Sequence, residues 1–329
     1  MLLTTAILAD QHGLITRRRA LECGLDDRDI RQLLKRGEWV RLRRGVYAER
    51  ATWEVLDPFR GLPLLRVRAA RLVLQTPHVL SHDSAALIHG MGVPDATRAL
   101  VHVTRRKVHG DAVRAGVKHH LAPYLDDQVQ LVDGLPVLDV ARTALDLARE
   151  HGLVAGVAAC DQALRRGIRR SELKEVRAAM RCWPGSRTMD EAIKLADQGA
   201  ESWLESEARV FVTGLGLGRP QTQFGLTDGT RVVFCDFRIG RHMFEIDGRQ
   251  KYDDELSTKQ LTDVLMREKN RQDFVSGFKL GISRLTAHDV HVTTRATAAR
   301  VRREYADTCA RFGTDITDLA PYIVRRNRR

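Results

Sequence analysis

The fold of the N-terminal region is decided by residues 26–47, which read DDRDIRQLLKRGEWVRLRRGVY. Asp26 can cap a helix over residues 27–36, because its side chain accepts hydrogen bonds from the free N–H groups of the first turn. Gly37 ends this helix, and residues 39–47 then alternate around an Arg-Gly turn, which is typical of a short β-hairpin. The stretch therefore predicts a helix followed by a basic hairpin.

Two more helices are predicted before this stretch, over residues 2–11 and after Thr16. Three helices and a basic hairpin make a winged helix-turn-helix, whose third helix enters the major groove while the wing touches phosphates. The residues predicted to contact DNA are Arg28, Arg31, Gln32 and Lys35 on the helix, and Arg41, Arg43 and Arg44 in the wing. Residues 1–50 carry 11 basic and 7 acidic groups, a net charge of +4. A winged helix that binds protein, with this basic face solvated, is the alternative.

Composition limits the classes of protein. The 329 residues carry 54 basic and 42 acidic side chains, and this net charge of +12 favours polyanionic partners. Hydrophobic residues make up 43%, which suits packed domains, and no apolar run is long enough for a membrane span. The first residues do not resemble a secretion signal. Five cysteines without a C-x-x-C pair argue against disulfides and cysteine zinc sites, so we expect a cytoplasmic protein.

The element pattern predicts an α+β multidomain chain with four parts. The predicted boundaries are 1–57 for the winged helix-turn-helix, 58–197 for a middle α+β domain, 198–292 for an α/β domain that contains acidic strands, and 293–329 for a basic helical tail. No catalytic constellation is evident in the middle domain.

The N-terminal half resembles the AbiEi-type antitoxins, which are transcriptional autoregulators of a bacterial abortive-infection toxin–antitoxin system. The motifs that carry the resemblance are LIT at 14–16, LLKRG at 33–37, RGVY at 44–47, SHDSAA at 81–86, VHVT at 101–104 and GLPV at 134–137. The resemblance extends over about residues 1–195. It implies DNA and a cognate toxin protein as partners, and a homodimer would suit a palindromic operator.

Carboxylates stand out in residues 235–248, which read CDFRIGRHMFEIDG. A two-residue Gly-Arg loop at 240–241 would pair Ile239 with His242 and would place Asp236 opposite Glu245, with Cβ atoms about 5 Å apart. Asp247 would project from the same face. Such a group needs a proton, a basic partner or a cation, and its oxygen atoms suit Mg²⁺. A solvent-facing hairpin is the alternative, which the apolar neighbours on both faces disfavour.

Two helices bring further acids toward this hairpin. Glu205 and Glu207 lie on opposite borders of one helix face, so only one of them should reach the site, and Arg209 could pair with Glu205. Glu268 falls within the apolar stripe of a helix predicted over residues 256–278. A buried carboxylate needs a partner, which is either Arg271, one turn away, or the site itself.

The order of a helix with Glu, a strand with Asp and a strand with Glu resembles the PD-(D/E)XK nucleases, in the branch of the very-short-patch-repair endonucleases. The resemblance implies metal-assisted phosphodiester hydrolysis, with Asp236 and Glu245 binding Mg²⁺ or Mn²⁺ and Glu205 as a further ligand or supporting group. Glu268 and Arg271 would support the site. The lysine expected two residues after the Glu is Asp247, and Lys251 could supply its charge from a shifted position.

Two functions stay open at this point. The chain is either a nuclease that a winged helix delivers to DNA, or an AbiEi-like repressor or antitoxin with an inactive nuclease fold. Convergence of Asp236 and Glu245 on a cation would favour the nuclease, whereas recognition of an operator near its own gene would favour the repressor. RNA remains an alternative substrate.

Overall fold

The structure is a computed structural model that describes residues 8–106, 110, 112–248, 271 and 273–325. It consists of two compact units. The N-terminal unit comprises Met1–Ala159 and Ser171–Met189, and the C-terminal unit comprises Cys160–Arg170 and Asp190–Arg329. Helices and three sheets make this a mixed α/β multidomain protein. Within the described ranges, no helix is both long enough and apolar enough to cross a membrane.

The N-terminal unit begins with the winged helix. Its elements are β1 (Leu14–Thr16), α1 (Arg17–Glu22), α2 (Asp27–Lys35), β2 (Trp39–Arg43) and β3 (Val46–Glu49). The two helices and the hairpin follow the predicted order. Of the helix predicted at 2–11, only residues 8–11 lie within the described part of the chain. Strand β1 was not predicted, because a three-residue strand depends on its pairing with β3 rather than on its own pattern. Ile15, Ile30 and Trp39 share the core.

A six-stranded sheet forms the centre of the rest of this unit. The elements between residues 50 and 195 are, in chain order, α3 (Arg50–Glu54), α4 (Gly61–Val73), β4 (Val79–Leu80), α5 (His82–Ile88), β5 (Val101–Arg105), β6 (Ala112–Arg114), β7 (Val117–Leu121), β8 (Val129–Val132), β9 (Leu135–Leu138), α6 (Val140–His151), α7 (Leu153–Arg165), α8 (Arg170–Ala179) and α9 (Ser186–Leu195). Within the last three helices, residues 160–165, 170 and 190–195 belong to the C-terminal unit. The strand order is β6-β7-β5-β4-β9-β8, with β5 and β7 parallel. Helix α5 packs against β5 and against α6, so residues at its start lie over the sheet.

The C-terminal unit contains a five-stranded sheet in the order β13-β12-β11-β10-β14. Its elements are α10 (Trp203–Gly214), β10 (Gln221–Thr227), β11 (Val232–Ile239), β12 (His242–Asp247), β13 (Gly281–Thr286), α11 (Ala287–His291), α12 (Thr294–Phe312) and β14 (Ile323–Arg325). Strands β12 and β13 are parallel, and the other pairs are antiparallel. Phe237 and Phe244 pack on one face, and Phe224 and Met243 pack on the other. Membership in the PD-(D/E)XK fold stays a prediction.

A buried histidine connects α12 to this sheet and makes stability depend on pH. His242 is 1% exposed, and its Nδ1 and Nε2 atoms lie 2.7 Å from Oγ1 of Thr308 and 2.8 Å from Oγ of Ser283. Burial lowers the pKa of His242 to about 4, although the nearby Glu304 opposes this shift. The native protein therefore holds the neutral imidazole, whereas the unfolded chain protonates it near pH 6.5.

We expect the His242→Gln variant to show a weaker loss of stability than the wild type as pH falls from 6.5 to 4. Because the pKa of His242 is lowered in the folded protein, its contribution to the free energy of unfolding is complete above pH 6.5. This contribution is lost as pH falls toward 4, and the loss is on the order of 3 kcal/mol. Urea unfolding at several pH values measures it. Identical pH profiles for the two proteins would contradict this assignment.

Candidate functional site

Helix α2 of the winged helix begins at a capping box. The Asp26 side chain accepts hydrogen bonds from the N–H groups of Arg28 and Asp29 at 2.7 and 2.8 Å, and the Asp29 side chain accepts from the N–H of Asp26 at 2.9 Å. These bonds satisfy N–H groups that a helix start leaves free, and such caps stabilise by about 1 kcal/mol. Ile30 faces the core, so the helix can bury one side while the other stays in solvent.

The solvent side of α2 is basic. The exposed side chains predicted to contact DNA on this helix are Arg28, Arg31, Gln32 and Lys35. The acids nearby have other partners: Asp27 forms an ion pair with Arg17 at 2.6 Å, and Glu22 lies 3.6 Å from Arg18. In the described part of the chain, none of the three cations on α2 lies within ion-pair distance of a carboxylate. Their charge is therefore available to a polyanion.

The wing presents two of its three predicted arginines. Strands β2 and β3 shift register between Arg41 and Arg43, and Gly45 turns the chain with a φ of +77°. Arg41 and Arg44 are exposed. Arg43 instead donates hydrogen bonds to the carbonyl oxygens of Ala115 at 2.7 Å and of Gly116 at 3.4 Å, which lie in the turn before β7. Arg43 therefore anchors the wing, and its predicted contact with DNA stays a prediction.

The register of the acidic hairpin is the predicted one. Ile239 pairs with His242, and Phe237 pairs with Phe244; the paired residues end there, one position before Asp236 and Glu245. An Asp236 carboxylate oxygen accepts a hydrogen bond from the N–H of Ile246 at 2.7 Å. Burial raises the pKa of Asp236; the hydrogen bond opposes this shift, and the charge of Glu245 adds to it.

Arginines compensate the charge of Glu245. Arg271 donates a hydrogen bond to Glu245 and a second one, at 2.6 Å, to the carbonyl oxygen of Phe234. The other Glu245 oxygen lies 3.5 Å from Nε of Arg284, because the parallel pairing of β12 with β13 aligns these two residues. Arg271 thus holds the Glu245 carboxylate, and its supporting role in a metal site stays a prediction. Its predicted partner Glu268 and the proposed charge donor Lys251 lie outside the described residues.

Helix α10 presents Glu205 to this hairpin. Ser202 caps the helix, and the Glu205 carboxylate accepts from the N–H of Glu201 at 2.6 Å. Burial raises the pKa of Glu205, and the negative charge of Asp236 acts in the same direction, so the two carboxylates lie close enough to repel. Glu207 is held elsewhere, 2.8 Å from Nε2 of His291. Asp247 ends β12 in an exposed position.

The expected ion pair between Arg209 and Glu205 does not form. Arg209 instead binds the Asp161 carboxylate at 2.6 Å and donates to the carbonyl oxygen of Leu195 at 2.8 Å. Asp161 lies 48 residues earlier in the chain, so no local spacing could identify this pair. Glu205 therefore has no balancing arginine from its own helix turn.

A cation at the predicted pair Asp236 and Glu245 would compete with arginines. Among the described residues, no three carboxylates of this cluster bring oxygen atoms within 4.8 Å of one another. Both oxygen atoms of Glu245 face arginines, so a divalent cation would have to displace them. These arginines disfavour the Mg²⁺ or Mn²⁺ that the nuclease resemblance implies, and binding of either ion stays a prediction.

Comparison with known families concerns the winged helix. Residues 4–50 match the family model described as transcriptional regulator, AbiEi antitoxin. The match supports an AbiEi-type N-terminal domain that serves DNA-binding regulation. It includes 47 of the 329 residues, so it describes this domain and not the whole chain. A comparison with curated proteins finds no match.

Proposed function

We propose that the chain is a DNA-binding transcriptional regulator of the AbiEi antitoxin type. The observation that carries the proposal is the set of exposed cations on α2 and in the wing, which have no acidic partner within ion-pair distance in the described structure. A nucleic-acid backbone offers the compensating charge. The family match of residues 4–50 supports transcriptional control as the purpose of this binding, and a cognate toxin as a further partner.

Helix α2 and the wing are expected to contact different parts of the DNA. Helix α2 enters the major groove, where Arg31 and Gln32 can hydrogen-bond to base edges, arginine preferring guanine and glutamine preferring adenine. Arg41 and Arg44 of the wing contact phosphates, which fix the register of the protein without specifying sequence. The capping box and the Arg17–Asp27 ion pair hold α2 for this task.

The alternative, metal-dependent cleavage, finds less support. It would require Arg271 and Arg284 to leave Glu245 before a cation could bind. Asp247 also stands where a catalytic lysine is expected. We therefore propose that the acidic hairpin serves the stability of the C-terminal unit, and we expect the protein to bind DNA without cutting it.

The Arg31→Ala variant should bind the DNA upstream of its own gene about 5- to 150-fold more weakly than the wild type. This range corresponds to roughly 1–3 kcal/mol for one base-contacting arginine. Fluorescence anisotropy with a labelled duplex at several salt concentrations measures it. Arg41→Ala should instead weaken binding to all sequences and lower the salt slope by about 1.

Arg98→Ala is the matched control, since Arg98 follows the winged helix in sequence, is 87% exposed and lies 3.9 Å from Asp95. It should bind as the wild type does. Equal losses from Arg31→Ala and Arg98→Ala would mean that α2 is not the DNA-reading element. No binding by the wild type to upstream or unrelated duplexes would refute the proposal.

A further inference from the structure

Three histidines meet in the core of the N-terminal unit, away from the winged helix. His82 begins α5, His102 lies on β5 and His120 lies on β7, and all three are buried. Nδ1 of His102 lies 3.0 Å from Nε2 of His120, and the rings of His82 and His120 stack with centroids 3.8 Å apart. One ligand nitrogen from each residue lies within 4.8 Å of the other two.

The fold brings these rings together from distant positions. Parallel β5 and β7 align His102 with Lys118 and Thr104 with His120, so His102 and His120 project diagonally from one face of the sheet. Helix α5 packs on β5 and supplies His82. Among the described residues, this is the one group of three histidine, cysteine or acidic side chains with such a spacing.

Burial favours the neutral form of two of the three imidazoles. Burial lowers the pKa of His82 well below its ordinary value. Burial also lowers the pKa of His102 to about 4, although Asp83 opposes the shift. The hydrogen bond between His102 and His120 places a proton on one of the two facing nitrogen atoms, which a metal ion would displace on binding.

Carboxylates lie behind two of the rings. Asp83 Oδ2 is 3.7 Å from Nε2 of His102, and Asp146 Oδ1 is 3.9 Å from Nε2 of His82. Histidine ligands in metal sites usually face a carboxylate on the far side, which fixes the tautomer and the orientation of the ring. Asp146 is itself held by Arg142 at 3.0 Å, so it cannot turn away freely.

The backbone at His82 is a second, independent observation. Its φ is +48°, a left-handed conformation that L-residues with side chains rarely adopt. Such strained positions cluster at functional sites, where the surrounding structure holds a side chain in a required direction. A histidine that only filled the core could sit in ordinary helical geometry.

We propose that His82, His102 and His120 form a binding site for a first-row transition-metal ion of the Zn²⁺ type. Three imidazoles suit zinc, copper, nickel or iron and disfavour Mg²⁺ and Ca²⁺, which prefer oxygen ligands. The site ties α5 to β5 and β7 and is structural, because its ligands are closed off from a bulky substrate.

The test uses the untagged full chain after chelator treatment, with Zn²⁺ and Co²⁺ as probes. We expect uptake of one Zn²⁺ per chain, a rise in the unfolding temperature with Zn²⁺ but not with Mg²⁺, and visible Co²⁺ absorption. The His102→Gln/His120→Gln variant should lose this uptake. Asp83→Asn should bind about 10- to 100-fold more weakly, as expected for a residue behind a ligand.

The matched control is His119→Gln, since His119 is also buried but lies on the opposite face of β7. It should retain full uptake. Uptake of less than one ion by the wild type, or equal uptake by the double variant, would overturn the proposal. If the double variant fails to fold, the Co²⁺ spectrum of the wild type is the deciding measurement. Thiolate charge-transfer bands in that spectrum would assign the metal to cysteine and would also overturn the proposal.

Discussion

The Arg209→Met variant is expected to lose roughly 3–5 kcal/mol of unfolding free energy in the C-terminal unit. Arg209 is 5% exposed and binds the Asp161 carboxylate, which is fully buried. Burial raises the pKa of Asp161, and the charge of Arg209 opposes that shift, so removing the arginine leaves an uncompensated buried acid. Calorimetric unfolding of the full chain measures the change.

Two further variants identify the cause of that loss. Arg209→Met/Asp161→Leu should recover most of the stability, because replacing both partners of a buried ion pair with apolar groups is often neutral. Arg311→Met removes an exposed partner of Asp307 in the same unit and should change stability by less than about 1 kcal/mol. A double variant as unstable as the single one would show that packing, rather than the unpaired charge, explains the effect.

Reversing the charge of α2 should have the largest effect on DNA binding. The Arg31→Glu/Lys35→Glu variant changes the charge of the exposed face by −4 and places carboxylates against phosphates. We expect affinity for duplex DNA to fall by roughly 100-fold or more at moderate salt, because backbone electrostatics supplies much of the affinity. Anisotropy titrations with upstream and unrelated duplexes measure this loss.

The control for this variant is Arg98→Glu/Arg187→Glu, which makes the same charge change at exposed positions away from α2 and the wing. If the control variant lost as much DNA affinity as the α2 variant, net charge alone would explain the binding. Circular dichroism should show both variants folded, since all four side chains are exposed and surface substitutions usually change stability by less than about 0.5 kcal/mol.

Local signals explain what the sequence could predict. The capping box at Asp26 and the alternation in the wing act within a few residues, so α2 and the hairpin followed from the chain itself. The same holds for the hairpin that pairs Phe237 with Phe244, because a two-residue loop leaves one register for the strands that it joins. The register of the hairpin does not decide whether Asp236 and Glu245 bind a metal ion.

The features that sequence could not predict depend on distant partners. Arg43 lies in a basic wing pattern, and only the turn at residues 115–116 shows that it is an anchor. Arg209 was expected to pair one helical turn away, whereas its partner comes from α7. The three clustered histidines share no motif, since a parallel strand pair and a helix start bring them together.

The most direct test of the DNA-binding claim is one reaction that reports both binding and cleavage. Wild type, Arg31→Glu/Lys35→Glu and Asp236→Ala/Glu245→Ala are each mixed with supercoiled plasmid in Mg²⁺, in Mn²⁺ or in EDTA. We predict that wild type and the Asp236/Glu245 variant shift the plasmid equally without nicking it, while the α2 variant leaves it unshifted. Metal-dependent nicking that the Asp236/Glu245 variant lacks, or a shift that survives reversal of the α2 charges, would contradict a regulator that binds DNA through α2.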